Sequence, residues 1–266
     1  MSLNPVVAVL PNPQPEYLAA VALGGGVAAD LGETTNGLVW TDSSDSEGLA
    51  KILESHPNIS WVQLPFAGVD NFRSVFDREL LRANTRIFTS AKGAYREPVA
   101  EHALMLALSL ARVLPERLAA KSWGRKYADT LFDANVLIVG GGGIAQEIAR
   151  LLTPFRSRVT VVRKHVGAVE GAELTLPFDA LDTALANADF VFLAAALTDE
   201  TFELFDADKF ALMKPSAYLV NIARGAMVVS ADLEKALRSG QISGAGIDVT
   251  DPEPLPDGHS LWGCPN

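Results

Sequence analysis

The chain has 266 residues, of which 48% are hydrophobic, and its formal net charge is −10. This length is enough for one large or two medium domains with hydrophobic cores, and two domains are expected. Because the chain is acidic and has no cluster of lysine and arginine, the composition argues against nucleic acid as a partner and leaves small anionic ligands possible at a locally positive site.

The cysteine content and the hydropathy pattern bear on the cellular compartment. Cys264 is the only cysteine, so the fold cannot depend on an internal disulfide. The N-terminus lacks the basic and apolar regions of a signal peptide, and no stretch reaches the roughly 18 apolar residues of a spanning helix. We therefore expect a cytoplasmic protein that does not bind membranes, and we expect no metal site.

Short strand-like runs alternate with helical segments along the whole chain, which is the pattern of parallel sheets covered by helices. The predicted fold class is therefore α/β. The predicted strands are residues 6–10, 38–41, 59–64 and 86–89 in a first series, and residues 135–139, 158–162, 190–194, 217–222 and 244–248 in a second. The two series predict two domains, residues 1–96 and 97–266.

Residues 97–114 predict a helix that is apolar almost all round. Pro98 near its start is tolerated because the first N–H groups of a helix have no intrahelical acceptor. Such a helix must be buried on several sides, so we expect it to link the domains and to pair two subunits of a homodimer. His102 lies within it, and a structural role is expected for this side chain.

Residues 135–152, NVLIVGGGGIAQEIARLL, combine a strand, a glycine turn and a helix, and they fit the G-x-G-x-x-G/A dinucleotide fingerprint. The first glycine permits the turn, the second lets a pyrophosphate approach the backbone, and the small third residue lets the helix pack on the strand. The helix N-terminus offers unpaired N–H groups and a partial positive charge to the phosphates. The alternative is a turn that binds nothing. The predicted cofactor contacts are Gly140, Gly142, Gly143, Ile144 and Ala145.

Two cations, Arg163 and Lys164, follow the next predicted strand. An NAD site usually places Asp or Glu here, about 20 residues beyond the fingerprint, to accept hydrogen bonds from the ribose 2′-hydroxyl. A cation cannot accept those bonds, but it can pair with the 2′-phosphate of NADP. The pattern predicts NADP over NAD, and NAD remains the alternative if Arg163 points into solvent.

Two further loops follow predicted strand ends and carry opposite charges. Arg224 comes after one strand and Glu253 comes after the next. Ligands of open α/β sheets lie beyond the carboxyl ends of the strands, so both residues are expected on the cofactor side of one sheet. A guanidinium there would stabilise the negative charge that develops on oxygen when hydride reaches a carbonyl carbon.

Several motifs, in register over most of the chain, resemble those of the D-isomer-specific 2-hydroxyacid dehydrogenase family. They are FAGVDNF, GAYREPVAEHAL, VGGGGIA, LTDET, NIARG, GIDVTDPEPLP and HSLW, and they follow the order of the family from residue 66 onwards. The resemblance implies a Rossmann-type dinucleotide-binding domain, a smaller flavodoxin-like α/β substrate domain and a homodimer.

The resemblance also implies roles for individual residues. Arg224 would bind the carboxylate of a 2-oxo acid and polarise its carbonyl group. Glu253 would pair with a catalytic histidine that protonates the carbonyl oxygen while hydride comes from the nicotinamide. The implied substrate contacts are Ala67, Gly68, Val69 and Arg224, and the implied nicotinamide contacts are Ile222, Ala223, Arg224 and Asp248.

The resemblance places that catalytic histidine in a Thr-Pro-His type segment beyond HSLW, and the sequence ends at Asn266 before such a segment. Loss of a positioned general acid would slow the reaction by about 10²- to 10⁴-fold. Because Arg224 and Glu253 have little use without it, we expect the working protein to extend further and to include a C-terminal helix that completes the first domain. The histidines within the chain, none of them a predicted proton donor, are His56, His102, His165 and His259.

The leading hypothesis is an NADP-preferring oxidoreductase that reduces a small 2-oxo acid, with glyoxylate or hydroxypyruvate favoured by the resemblance. An NAD-dependent enzyme of the same type is a second possibility. A third, from another functional class, is a sensor or corepressor-like protein that binds the nicotinamide cofactor without turnover.

Overall fold

A computed structural model describes residues 4–81, 86–124 and 127–266. They form two compact units, Met1–Tyr95 and Arg96–Asn266. Within the described ranges, no helix is both long enough and apolar enough to cross a membrane.

The first unit contains a five-stranded sheet whose paired strands are all parallel. Its strands are β1 (Val6–Leu10), β2 (Val27–Ala28), β3 (Gly37–Trp40), β4 (Trp61–Gln63) and β5 (Ile87–Thr89), and its helices are α1 (Pro15–Leu23), α2 (Ser46–Ser55) and α3 (Arg73–Leu81). The strand order β2-β1-β3-β4-β5 is the flavodoxin-like 2-1-3-4-5 arrangement. The predicted flavodoxin-like fold is therefore confirmed for this unit.

A buried arginine connects three elements of the first unit. Arg86, the residue before β5, places Nη1 2.6 Å from Oε1 of Glu79 on α3. Its Nε donates to the Ile59 carbonyl at 2.8 Å, and its Nη2 donates to the Leu53 and His56 carbonyls at 2.7 and 3.3 Å. The last two carbonyls lie at the C-terminal end of α2, where a cation is favourable. The Arg86 side chain is only 2% exposed.

The second unit contains a six-stranded sheet, again with parallel pairs throughout. Its elements in chain order are α4 (Arg96–Ala111), α5 (Leu114–Ala119), β6 (Asn135–Val139), α6 (Gly143–Leu152), β7 (Arg158–Val162), β8 (Leu174–Leu176), α7 (Leu181–Leu185), β9 (Phe190–Leu193), α8 (Ala207–Leu212), β10 (Tyr218–Asn221), α9 (Ser230–Ser239) and β11 (Gly244–Ile247). From the β8 edge, the order β8-β7-β6-β9-β10-β11 is the Rossmann order 3-2-1-4-5-6. The predicted Rossmann-type fold is confirmed.

Both faces of this sheet are covered, which explains why its strands are apolar at successive positions. On β6, Val136 and Ile138 belong to the hydrophobic core on one face, and Leu137 and Val139 belong to the core on the other. Alternate residues of a strand point to opposite faces, so a strand between two cores needs apolar side chains throughout.

The predicted helix over residues 97–114 was wrong at its C-terminal end. The helix α4 stops at Ala111, Val113 has a left-handed backbone with φ of 53°, and α5 begins at Leu114. The physical reason is Pro115, which has no N–H to donate and whose ring would clash with the carbonyl of residue 111 in a continuous helix. The buried residues of α4 are mostly small: Ala100, Ala103, Ala107, Leu110 and Ala111.

Candidate active site

The glycine turn lies at the point where the strand order of the Rossmann sheet reverses. Gly140 follows β6 with φ of +114°, a left-handed conformation that favours glycine. A Cβ at this position would lie 2.5 Å from the backbone oxygen of Ala194, the residue after β9. The loops after β6 and β9 are therefore in contact at the switch point, which is where ligands of open α/β sheets bind.

The N-terminus of α6 presents open space to a ligand. Gly142 is the N-cap of α6, and no atom lies within 4 Å of the position that a Cβ would occupy there. Ala145, one turn further, is fully buried in the core. An open, uncapped helix start after a glycine turn fits a dinucleotide pyrophosphate. The sequence interpretation missed Arg96, whose Cβ lies 3.8 Å from the Cβ position of Gly143 and so adds a cation beside this helix start.

Arg163 lies across the glycine turn. Its Cδ and Nε atoms are both 2.7 Å from the position that a Cβ would take on Gly141. A Cβ at residue 141 would therefore displace the Arg163 side chain, a contact that the fingerprint did not indicate. Lys164 is placed differently, because its Nζ lies 2.8 Å from Oε1 of Glu200. Of the two predicted 2′-phosphate partners, Arg163 is the one in contact with the turn.

Arg224 is held just beyond the carboxyl end of β10 by the side chain of Asn221. The Asn221 amide donates from Nδ2 to the Arg224 carbonyl at 3.0 Å, and its Oδ1 accepts from the Ala223 N–H at 3.0 Å. Asn221 itself is 1% exposed, so its side chain is confined by packing and keeps these two hydrogen bonds in place. The Arg224 guanidinium donates from Nη1 to the Ala223 carbonyl at 2.7 Å, and the side chain is partly buried.

The loop that carries Glu253 packs directly against the loop that carries Arg224. A Cβ on Gly225 would lie 1.9 Å from the carbonyl carbon of Thr250, so only glycine permits this approach. Glu253 is exposed, and its Oε2 accepts from the Thr250 N–H at 3.4 Å. The structure thus brings together the two loops on which the sequence placed a cation and a carboxylate.

The remaining predicted nicotinamide contacts differ in exposure. Ile222 and Ala223 are 7% and 6% exposed and belong to the hydrophobic cores on opposite faces of the sheet. Their side chains therefore stabilise the sheet, and only their backbone can reach a ligand. Asp248 is exposed at the end of β11, where its Oδ1 lies 3.1 Å from Nε2 of His102 on α4. This pair was not anticipated from the sequence, which suggested only a structural histidine.

The predicted substrate contacts Ala67, Gly68 and Val69 lie in the first unit. They follow β4, beyond its carboxyl end, and all three are partly buried. The Val69 carbonyl accepts from the Phe72 N–H at 3.0 Å, which closes the turn before α3. This position agrees with a ligand site at the carboxyl edge of the sheet, and the binding role itself stays a prediction.

The segment HSLW, residues 259–262, is fixed to α9. Nδ1 of His259 accepts from the Leu261 N–H at 3.2 Å and so caps a short helical turn. The Ser260 hydroxyl donates to Glu234, and Arg238 lies 2.8 Å from the same carboxylate. The bond from Ser260, followed by that from Arg238, lowers the pKa of Glu234 below its ordinary value. His259 thus has a local capping role.

The family model for "D-isomer specific 2-hydroxyacid dehydrogenase, NAD binding domain" matches residues 103–266. The chain belongs to the D-isomer-specific 2-hydroxyacid dehydrogenase family. A glyoxylate reductase/hydroxypyruvate reductase from Mus musculus is 38% identical over 178 residues, or 64% of this chain and 54% of the mouse protein. A D-3-phosphoglycerate dehydrogenase from Mycobacterium tuberculosis is 30% identical over 267 aligned positions, or 91% of this chain and 50% of that protein. The chain thus spans about half the length of these two relatives.

Solved structures of D-isomer-specific 2-hydroxyacid dehydrogenases are similar over nearly the whole chain. One from Xanthobacter autotrophicus, in complex with NADPH and MES, is 25% identical with a TM-score of 0.81. The similarity covers 99% of this chain and 86% of that one. The fold of both units is therefore that of the family.

Proposed function

We propose that this protein is an oxidoreductase that transfers hydride from NADPH to a small 2-oxo acid, yielding the D-2-hydroxy acid and NADP⁺. The observation that carries the proposal is Arg224, which Asn221 fixes at the carboxyl edge of the nucleotide-binding sheet. A fixed cation there can bind the substrate carboxylate and stabilise the oxyanion that develops on the carbonyl oxygen.

In this proposal, different residues of the chain bind the cofactor, bind the substrate and support the proton donor. The reduced nicotinamide, when bound, supplies the hydride. Backbone N–H groups at the start of α6 would hold the pyrophosphate, and Arg224 would bind the substrate carboxylate. The backbone N–H groups of residues 67–69 are also suited to binding a carboxylate. Glu253 would accept a hydrogen bond from the family's catalytic histidine and stabilise its cationic form. That histidine would give a proton to the oxygen of the reduced carbonyl.

Arg163 supports NADP as the preferred cofactor, because its side chain lies on the glycine turn at Gly141. We expect Arg163→Ala to weaken NADPH binding by about 10- to 100-fold, since a hydrogen bond to a charged group contributes about 1.5–3 kcal/mol. NADH binding should change little, because NADH has no 2′-phosphate. Titration of cofactor fluorescence with the wild-type and variant proteins measures both dissociation constants.

Lys164→Ala is the matched control, because the Lys164 ammonium is paired with Glu200. Its effect on NADPH affinity should be clearly smaller than that of Arg163→Ala. Equal affinity of the wild-type protein for NADPH and NADH, with no change in Arg163→Ala, would overturn the cofactor assignment and favour an NAD-dependent enzyme.

The substrate is best tested with a panel of acids in the presence of NADPH. Glyoxylate and hydroxypyruvate are favoured because the mouse relative is named for them, and the phosphorylated 2-oxo acid corresponding to D-3-phosphoglycerate belongs in the panel because of the mycobacterial relative. Oxidation of NADPH by one of these acids supports the proposal. Tight NADPH binding by the full-length protein, without oxidation by any of these acids, would instead favour a nicotinamide redox sensor.

We also propose that the protein is a homodimer that pairs through α4 and the helix after it. Met105 on α4 is 45% exposed, and Leu114 and Leu118, one turn apart on α5, are 42% and 78% exposed. Trp123 nearby in the sequence is 95% exposed. Large apolar side chains exposed along one segment of the chain are expected at an interface between subunits. Analytical ultracentrifugation should give a mass near twice that of the chain, and a monomer at all concentrations would contradict the proposal.

A further inference from the structure

The helix α4 crosses β11 in a fixed register. Leu110 places its Cδ2 3.1 Å from the Cβ position of Gly244, and Leu106 places its Cβ 2.9 Å from the Cβ position of Gly246. Residues four apart share one face of a helix, and residues two apart share one face of a strand. A step of four residues back along α4, from Leu110 to Leu106, thus corresponds to a step of two residues forward along β11, from Gly244 to Gly246. The two glycines permit this close approach.

The next contact in this series is polar. One turn before Leu106 stands His102, and two residues after Gly246 stands Asp248. Nε2 of His102 lies 3.1 Å from Oδ1 of Asp248, with the two side chains 39% and 47% exposed. A pair this exposed adds little to folding stability. What it does fix is the orientation of the Asp248 carboxylate at the carboxyl edge of the sheet.

We propose that His102 is a positioning residue for nicotinamide binding. Its Nε2–H donates to one oxygen of Asp248 and leaves the other oxygen to accept from the carboxamide N–H group of the nicotinamide. This inference rests on the proposed function, in which Asp248 contacts the nicotinamide. An exposed aspartate at a strand end otherwise samples several rotamers, and selecting one of them on binding costs free energy that a preorganised carboxylate avoids.

The test uses two ligands that differ in the nicotinamide. NADPH carries the carboxamide, whereas 2′-phospho-ADP-ribose has the same phosphates and adenosine without it. We expect His102→Leu to weaken NADPH binding by about 2- to 10-fold, the range expected when one side chain must be ordered on binding. Affinity for 2′-phospho-ADP-ribose should not change. Isothermal titration calorimetry measures both ligands under the same conditions.

Two further variants separate a positioning role from a purely structural one. The amide of His102→Gln offers an N–H donor at a similar reach, so it should restore NADPH affinity to near the wild-type value. His56→Leu makes the same substitution in the first unit and should leave both affinities unchanged. Circular dichroism melting should show that all three variants are folded.

The possible results are distinguishable. If the wild-type protein binds NADPH and His102→Leu binds it equally well, the positioning role is refuted and the proposed function stands. Equal weakening of both ligands, or a failure of His102→Gln to restore affinity, also refutes it. If the wild-type protein binds neither ligand, the proposed function fails, and this inference fails with it.

Discussion

Replacing Arg224 with alanine is expected to lower kcat/KM for the 2-oxo acid by about 10²- to 10³-fold, the loss seen when one oxyanion donor is removed from an active site. The reason is geometric. The Asn221 side chain holds the backbone of residues 223 and 224 through two hydrogen bonds of 3.0 Å, one to the Arg224 carbonyl and one from the Ala223 N–H. A cation on such a rigid support stabilises the charge of the transition state without reorganising. Steady-state rates of NADPH oxidation over a range of acid concentrations measure the effect.

Two variants make this result specific. Arg224→Lys should recover only part of the lost rate, because an ammonium group is a point charge without the fork that binds a carboxylate through two parallel bonds. Arg158→Ala should have no effect, since Arg158 is an exposed arginine at the amino end of β7 whose Nε donates to Asn135. An Arg224→Ala protein with wild-type kcat/KM would refute the assigned role.

Replacing Arg86 with methionine is expected to reduce the free energy of unfolding of the first unit by about 3–5 kcal/mol, because it leaves a buried charge without its partner. The Glu79 carboxylate is 9% exposed and contacts Arg86 at 2.6 Å. The same substitution removes the donors to the Leu53 and His56 carbonyls at the end of α2. Urea unfolding, followed by tryptophan fluorescence, measures the change, since the first unit contains the buried Trp40 and also Trp61.

Two controls test the role of the buried pair. One removes both of its charges, and the other breaks an exposed ion pair. Arg86→Met combined with Glu79→Leu should be more stable than Arg86→Met alone, since removing both charges leaves no unpaired carboxylate. Arg78→Met breaks an ion pair of 2.7 Å whose side chains are 41% and 55% exposed, and it should lower the free energy of unfolding much less than Arg86→Met does. If Arg86→Met were as mild as Arg78→Met, the buried pair would have no special role in this unit.

The elements that the sequence predicted well are those with a strong local pattern. The strands β1, β6 and β7 have the predicted bounds, because each is a mainly apolar run that ends at a turn residue or at a charge. The strands β2 and β8 were not predicted. They contain two and three residues at the outer edges of their sheets, and pairing with a neighbouring strand defines them more than their own composition does.

The sequence by itself determined the α/β class, the glycine turn with its helix and the order of the charged loops, since turn chemistry and hydrophobic period act between residues close along the chain. Only the tertiary structure decided that Arg163 packs on Gly141, that Gly225 fits against Thr250 and that His102 reaches Asp248. In the last of these pairs, the two residues are in contact although most of the sequence of the Rossmann unit lies between them. Which atoms meet there depends on how closely a helix can approach a strand, and that distance is set by packing between residues remote in the chain.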